Sequence, residues 1–228
     1  MGREYSDLFQ GKSIIGMVHL SGMGTMKIDR ALEELDIYER CGVAGAIIEN
    51  YCKDATAKDV EDVLKRIEDT KRGVVIGVNV LGNTPLGFKI ADNYGAKFVQ
   101  VDNVHEDGLD LHRLAYPKLV VLGGVGFKYV PDTGNPLEED IEQGMRRCDA
   151  IVTTGSDTGV ETPIEKLAKF RMMMGDFPFI VGAGVNAENV TEQLTYTNGA
   201  IVGSSFKPDK NTEVEVNENL VRKLMEII

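Results

Sequence analysis

Short apolar runs recur along the chain, and the segments between them mostly show the spacing of amphipathic helices. We predict eight strands, at residues 13–20, 45–50, 74–80, 98–102, 119–123, 150–154, 179–181 and 200–202. Successive runs begin roughly 20 to 32 residues apart, the spacing of βα units in a barrel. Most runs are continuously apolar, as expected for parallel strands covered on both faces. The pattern predicts one α/β domain over residues 1–228, folded as a (β/α)8 TIM barrel.

Capping residues and glycines indicate where the helices begin and end. Asp29 is expected to cap the first long helix and Gly42 to follow its last turn. Thr84 is expected to cap the third helix, ahead of a proline, and residues 162–165 (TPIE) match a capping box. Residues 109–116 predict only a short helix. The competing doubly wound sheet lacks its glycine-rich fingerprint after the first strand.

The last two predicted strands both end in small residues, which let backbone N–H groups face a ligand. In a TIM barrel, a phosphate group binds at the loops after strands seven and eight. We therefore predict a phosphate site, typical of ribulose-phosphate-binding barrels, formed by Gly182, Gly184, Val185, Gly203, Ser204 and Ser205.

Polar residues follow the other strands, at the end of the barrel where ligands bind. The predicted catalytic residues are His19, Glu49, Asn79, Asp102 and Lys128. Each has a purely structural alternative, such as an ion pair between Lys128 and a carboxylate or an amide that only holds a backbone carbonyl. Further candidates that could close over a ligand are Thr154, Gly155 and Thr158.

The composition of the chain limits the classes of partner that it is expected to bind. The formal charge of −11 argues against nucleic acid, although backbone amides can still hold one small phosphorylated ligand. We expect no membrane span, because no apolar run approaches the ~20 residues needed. Residues 1–6 match the M-G-x-x-x-S myristoylation pattern, which short segments match by chance. Three cysteines without a C-x-x-C pair favour a reducing cytoplasm and no zinc. We expect no cofactor or metal, and assembly into a homo-oligomer is left open.

Several stretches, taken together, resemble the BtpA family of TIM-barrel proteins. They are residues 14–20 (IIGMVHL), 42–50 (GVAGAIIEN), 77–81 (GVNVL), 150–155 (AIVTTG) with Thr158 and Gly159, 181–185 (VGAGV) and 201–207 (IVGSSFK). The stretches occur in family order across nearly the whole chain. The resemblance implies the barrel and the location of its site, and the family takes its name from a factor in photosystem I biogenesis.

The chain departs from the family in the loops over the barrel mouth. Residues 21–25 (SGMGT) stand where members have a proline-rich loop, and Lys128 is followed by Tyr129 where members have histidine. The segment between Asp102 and Leu119 is also shorter. These loops choose the substrate, so the resemblance implies fold and site more firmly than reaction.

The main hypothesis is an enzyme acting on a small phosphorylated metabolite, such as a sugar or ribosyl phosphate. Glu49 and Asp102 are expected to act as general base and acid, with His19 or Lys128 polarising a carbonyl or hydroxyl. Isomerases, epimerases and aldolases (lyases) all begin with proton transfer beside a carbonyl. The alternatives are a non-catalytic biogenesis factor and a phosphoribosylanthranilate isomerase. The phosphoribosylanthranilate isomerase is disfavoured because the first strand ends without a cysteine that could serve as the acid.

Overall fold

Eight parallel strands close into a barrel in the computed structural model, which describes residues 4–228. Gly2 of the myristoylation pattern lies outside the described residues. The strands are β1 (Ser13–His19), β2 (Gly45–Glu49), β3 (Val75–Asn79), β4 (Phe98–Val101), β5 (Val120–Gly124), β6 (Ala150–Thr153), β7 (Phe179–Val181) and β8 (Gly199–Val202). Each strand pairs with the next, and β8 pairs with β1. The predicted TIM barrel is confirmed.

Helices follow the strands and cover the outside of the barrel. They are α1 (Tyr5–Leu8), α2 (Met26–Arg40), α3 (Ala57–Ile67), α4 (Thr84–Asn93), α5 (Leu109–Ala115), α6 (Leu137–Arg147), α7 (Ile164–Met174), α8 (Val190–Tyr196) and α9 (Glu218–Met225). The described helices include none long and apolar enough to cross a membrane.

Three predicted helix starts were wrong in detail. Helix α2 begins three residues before Asp29, with Thr25 at the N-cap position. The Asn83 side chain caps α4, so Thr84 is its first helical residue. Thr162 does not cap α7, because its hydroxyl donates to the Ala183 carbonyl, 3.2 Å away. In the last case a contact between two loops replaces the local capping bond.

The barrel interior is filled by alternate residues of each strand, as the two-residue period requires. Ile15, Ile47 and Phe98 belong to one buried apolar cluster inside the barrel, and their outward neighbours pack under the helices. A Cβ at Gly77 would lie only 2.3 Å from the Phe98 ring, so glycine makes room for that ring. Large and small residues thus alternate around the interior.

Helix α1 closes the bottom of the barrel, which is the end where the strands begin. The rings of Tyr5 and Phe9 lie 5.2 Å apart, and Phe9 meets Phe98 edge-on at 5.4 Å. Tyr5 and Phe9 are 5% and 3% exposed, so this aromatic plug leaves no opening for solvent. The sequence pattern had predicted no element before residue 13.

A buried polar cluster ties the first long helix to the chain after β8. Lys207 donates to Glu34 Oε1 at 3.2 Å and to the carbonyl of Val214 at 2.9 Å. Arg30 donates to the same carboxylate oxygen and to the carbonyls of Glu213 and Val214. Glu34 pairs with both cations, and backbone carbonyls accept their remaining hydrogen bonds, which offsets the cost of burying these charges.

Candidate functional site

The strand register brings several predicted residues to one level at the top of the barrel, where the strands end. His19 is paired in register with Glu49, and Glu49 with Asn79. All three side chains are buried and continue the inward-facing rows of β1, β2 and β3. The same alternation on β4 places Phe98, Gln100 and Asp102 on one inward row.

Glu49 is the most perturbed carboxyl group at this end. Its pKa is raised to about 8, first by burial and then by the negative charge of Asp102, while Lys128 and the Asn79 amide act in the opposite direction. The carboxyl group is therefore mostly protonated at neutral pH. A carboxyl with a pKa near the working pH is suited to proton transfer.

An amide network holds the two carboxyl groups together. Asn79 Nδ2 donates to Glu49 Oε1 at 2.8 Å and to Asp102 Oδ1 at 3.0 Å. Both hydrogens of this amide are therefore used, and Asn79 does not line the pocket. Asn79 is placed to position the carboxyl groups and not to touch a ligand.

His19 lies between Glu49 and the loop after β8. Burial lowers its pKa well below the usual range, and the nearby Lys207 and Lys128 lower it further. The imidazole is thus neutral, and its Nε2 lies 3.7 Å from Glu49 Oε2, too far for a hydrogen bond. The two side chains are in contact, but they do not form an ion pair. A Cβ at Gly203 would lie 2.6 Å from His19 Cε1, so the ring packs against that loop.

Lys128 lines the pocket from the loop after β5. Within residues 4–228 it forms no ion pair, so the structural alternative of a salt bridge to a carboxylate is absent from this part of the chain. Its Nζ lies 5.3 Å from the centre of the Phe127 ring. Thr154 Oγ1 accepts a hydrogen bond from the Lys128 backbone at 2.6 Å, which fixes the loop.

The loops after β7 and β8 form the wall opposite the carboxyl groups. Within residues 4–228, the backbone N–H groups of Gly184, Val185, Ser204 and Ser205 donate no hydrogen bond. All four residues line the pocket, together with Gly182 and Gly203. Ser204 and Ser205 open a 3₁₀ turn, whose first N–H groups lack internal partners by construction. Such unpaired N–H groups are what a phosphate requires.

The loop of residues 155–162 packs over this wall. A Cβ at Gly184, which has φ of 74°, would lie 2.3 Å from the Glu161 Cα, and one at Gly159 would lie 2.9 Å from Ser204 Oγ. Thr158 lines the pocket, whereas Thr154 and Gly155 are buried beneath it. The prediction of a covering loop therefore applies to Thr158 and not to the other two residues.

Two tyrosines join this loop to its neighbours. Tyr51 Oη and Thr158 Oγ1 are 3.1 Å apart, and Tyr129 Oη contacts Asp157 and Thr158. Tyr129 has a φ of 63°, an uncommon conformation for a residue with a side chain. The resulting hydroxyl cluster links the loops after β2, β5 and β6 above the pocket.

Together these groups line one pocket of about 640 Å³, counting the part open to solvent. The sequence analysis missed Gln100, Tyr51 and Tyr129, which also line it. Gln100 had a visible signal, because it is the one polar residue inside the run FVQV. The tyrosines had none, since they lie on loops.

Comparison with known sequences places the chain among relatives of similar length. Residues 127–228 match the model of the BtpA family. The photosystem I biogenesis protein BtpA of Synechocystis is 28% identical, and the match covers 96% of this chain and 90% of that protein. The chain is thus similar to the BtpA family.

An uncharacterized protein of Methanocaldococcus jannaschii is likewise 28% identical, with 96% of each chain covered. That alignment spans 255 residues, more than the 228 of this chain, so this relative carries insertions that the present chain lacks.

Solved structures share the fold at low identity. The 2-keto-3-deoxy-6-phospho-gluconate aldolase of Zymomonas mobilis has a TM-score of 0.70 at 13% identity, covering 99% of this chain and 98% of that one. Phosphoribosyl anthranilate isomerase of Thermococcus kodakaraensis has a TM-score of 0.64 at 16% identity, covering 95% and 98%. At this identity the likeness establishes the barrel and not the reaction.

Proposed function

We propose that this chain is an enzyme that acts on a small phosphorylated metabolite by proton transfer at the top of the barrel. One observation carries the proposal: a buried, protonated Glu49 lies in the same pocket as four unpaired backbone N–H groups. Glu49 supplies acid–base chemistry, and the N–H groups supply a binding site for a phosphate.

Phosphate binding is assigned to the loops after β7 and β8. The N–H groups of Gly184, Val185, Ser204 and Ser205 would donate to the phosphate oxygens. Local N–H groups can hold an anion although the whole chain is acidic. The aldolase and isomerase that share the fold have phosphorylated substrates in their names, which agrees with this assignment.

Proton transfer is assigned to Glu49 and Asp102, with roles opposite to those expected from sequence. Glu49 is the proton donor, because burial keeps it protonated at neutral pH. Its Oε1 accepts the Asn79 amide, so the proton is on Oε2, the oxygen on the His19 side. Asp102 then acts as the base, and the Lys128 ammonium or the neutral His19 imidazole polarises a carbonyl or hydroxyl of the substrate.

This arrangement supports isomerisation, epimerisation or retro-aldol cleavage through an enolic intermediate. A Schiff base is less well supported, because Lys128 lies on a loop four residues beyond β5 instead of pointing inward from a strand. The phosphoribosylanthranilate isomerase alternative stays disfavoured, since His19 and no cysteine ends β1.

A non-catalytic role is the second candidate, favoured by the name of the Synechocystis relative. In that case the pocket would bind its ligand without turning it over. The two candidates differ in one measurable property, which is exchange of a substrate C–H proton with solvent.

The first test measures phosphate binding. Inorganic phosphate, ribose 5-phosphate and ribulose 5-phosphate are titrated into wild type, Ser205→Asp and Ser205→Asn by calorimetry. We expect the aspartate to weaken binding at least about 10-fold through charge repulsion, and its neutral isostere to have little effect. Position 205 is preferable to Gly184, where any side chain would displace the loop at Glu161.

The second test measures chemistry without assuming one reaction. The same sugar phosphates are incubated in D₂O and followed by ¹H NMR for loss of a C–H signal or appearance of products. We expect Glu49→Gln to bind phosphate normally and to slow exchange by about 10²- to 10⁴-fold. Binding without exchange in wild type would favour the non-catalytic role, and failure of all three compounds to bind would overturn the phosphate assignment.

A further inference from the structure

Gln100 is a buried polar side chain in the pocket to which neither the sequence analysis nor the proposed reaction gives a role. It lies on β4 between Phe98 and Asp102, on the inward row, and is 3% exposed. It lines the same pocket as Glu49 and the loops after β7 and β8. Its place inside the barrel puts it against any ligand that reaches the carboxyl groups.

The orientation of the Gln100 amide is fixed by its neighbour. Nε2 donates to Asp102 Oδ1 at 3.0 Å. The reversed amide would place its oxygen against that negatively charged carboxylate, so the nitrogen must face Asp102. Oε1 consequently points away from Asp102.

Oε1 is left as a buried acceptor without a donor. No protein group in residues 4–228 donates to it. The nearest candidate at this level, the Asn79 amide, uses both hydrogens on Glu49 and Asp102. A buried carbonyl that lacks a hydrogen bond is costly, so a ligand that supplies a donor binds more tightly here.

An unpaired oxygen alone does not mark a ligand site. Gln193 Oε1 on α8 is also buried without a donor, yet Gln193 does not line the pocket. Gln100 differs because its side chain lines the pocket and its amide is oriented by Asp102. A carbonyl oxygen in that place suits a ligand hydroxyl group, which can donate a hydrogen bond, and not a second anionic group, which cannot.

We propose that Gln100 Oε1 accepts a hydrogen bond from a hydroxyl group of the ligand, and thereby selects phosphorylated polyhydroxy compounds over their deoxy counterparts. The inference rests on the proposed function, because the phosphate must occupy the loops after β7 and β8. It adds a specificity residue and narrows the ligand class to sugar or polyol phosphates.

The test compares ligands that differ by one hydroxyl. Ribose 5-phosphate, its 2-deoxy and 3-deoxy forms and inorganic phosphate are titrated into wild type and Gln100→Met, a variant of similar shape without an acceptor. In wild type we expect at least one deoxy compound to bind about 5- to 30-fold more weakly than ribose 5-phosphate. In Gln100→Met that ratio should fall below about 2-fold, with inorganic phosphate unchanged.

The outcomes separate the two proposals. If wild type binds both deoxy forms as tightly as ribose 5-phosphate, or if Gln100→Met keeps the discrimination, the role of Gln100 is overturned while the phosphate site stands. If wild type binds none of the four compounds, both proposals fail. The wild-type comparison needs no variant, so it decides the matter even if Gln100→Met does not fold, and Gln193→Met is the matched control outside the pocket.

Discussion

The two ends of the barrel are built from the same strands but present opposite chemistry. On β4, Phe98 at the bottom packs against the aromatic plug of Tyr5 and Phe9, and Gln100 and Asp102 at the top line the pocket. On β2, Ile47 belongs to the apolar interior and Glu49 to the carboxyl pair. Two residues along a strand separate an apolar side chain of the interior from a polar one at the top of the barrel.

This difference predicts which property of the protein a variant at each end should change. The interior at the bottom is packed with apolar and aromatic side chains, so a change there alters the free energy of unfolding and leaves the pocket intact. The top contains a carboxyl group held protonated by burial, and a change there alters pH dependence and ligand binding. Three predictions test this division.

The largest expected effect is at the bottom. Phe98→Ala removes a fully buried ring from the interior and should lower the free energy of unfolding by about 3–5 kcal/mol. Urea denaturation followed by circular dichroism measures the change. Gln100→Ala, two residues along the same strand, is the matched change at the top and should cost clearly less. Equal losses at the two positions would contradict the division.

The second effect is a pH dependence confined to the top. Glu49 has a pKa near 8 when folded and an ordinary value of 4.5, so between these values the folded state binds more protons than the unfolded state. The free energy of unfolding must then fall as pH rises from about 5 to 8, by up to about 1.4 kcal/mol per pH unit. The stabilisation is fully present below the lower value.

Glu49→Gln should remove that dependence, because its amide does not titrate. Urea midpoints are measured for wild type, Glu49→Gln and Phe98→Ala at pH 5, 6, 7 and 8. We expect Glu49→Gln to gain stability relative to wild type with each step, and Phe98→Ala to remain at a constant offset. A flat difference between Glu49→Gln and wild type would show that Glu49 is already ionised at pH 5.

The smallest effect concerns the loop of residues 155–162. Tyr51→Phe removes the hydroxyl that lies 3.1 Å from Thr158 Oγ1, a contact worth about 0.5–1.5 kcal/mol. We expect faster hydrogen exchange at the amides of this loop, by up to about 10-fold, with global stability nearly unchanged. Tyr94→Phe is the control, since Tyr94 Oη donates to Glu61 at 2.9 Å between α4 and α3, and neither residue lines the pocket. If both variants affect the loop equally, the hydroxyl cluster does not hold it.

Much of the fold could be predicted because strand periodicity and glycine placement are local signals. Each strand was located to within one or two residues, and Asn217 and Gly42 mark helix ends as expected. The plug helix α1 was missed, since four residues are too few to show a period. Thr162 was misread because its partner, the carbonyl of Ala183, is 21 residues away in sequence.

The site could be predicted in position but not in state. The alternation of β4 was enough to place Asp102 inward, and it would have placed Gln100 as well. Whether Glu49 is protonated could not be read from sequence, because its pKa depends on burial and on the charge of Asp102 two strands away. The hydrogen-bond partners of Asn79 could not be read from sequence either. Asn79 was therefore expected to be catalytic, although it donates both its amide hydrogens to Glu49 and Asp102.

The pairing of β1 with β8 has a consequence for how this chain can be made. Ser13 pairs with Gly199, and the cluster of Arg30, Glu34 and Lys207 lies beside that seam. During synthesis from the N-terminus, one edge of β1 has no partner until β8, which begins 186 residues later, has left the ribosome. An unpaired strand edge is open to wrong pairing with other chains. The late-made strand β8 is therefore what removes the hazard created by β1.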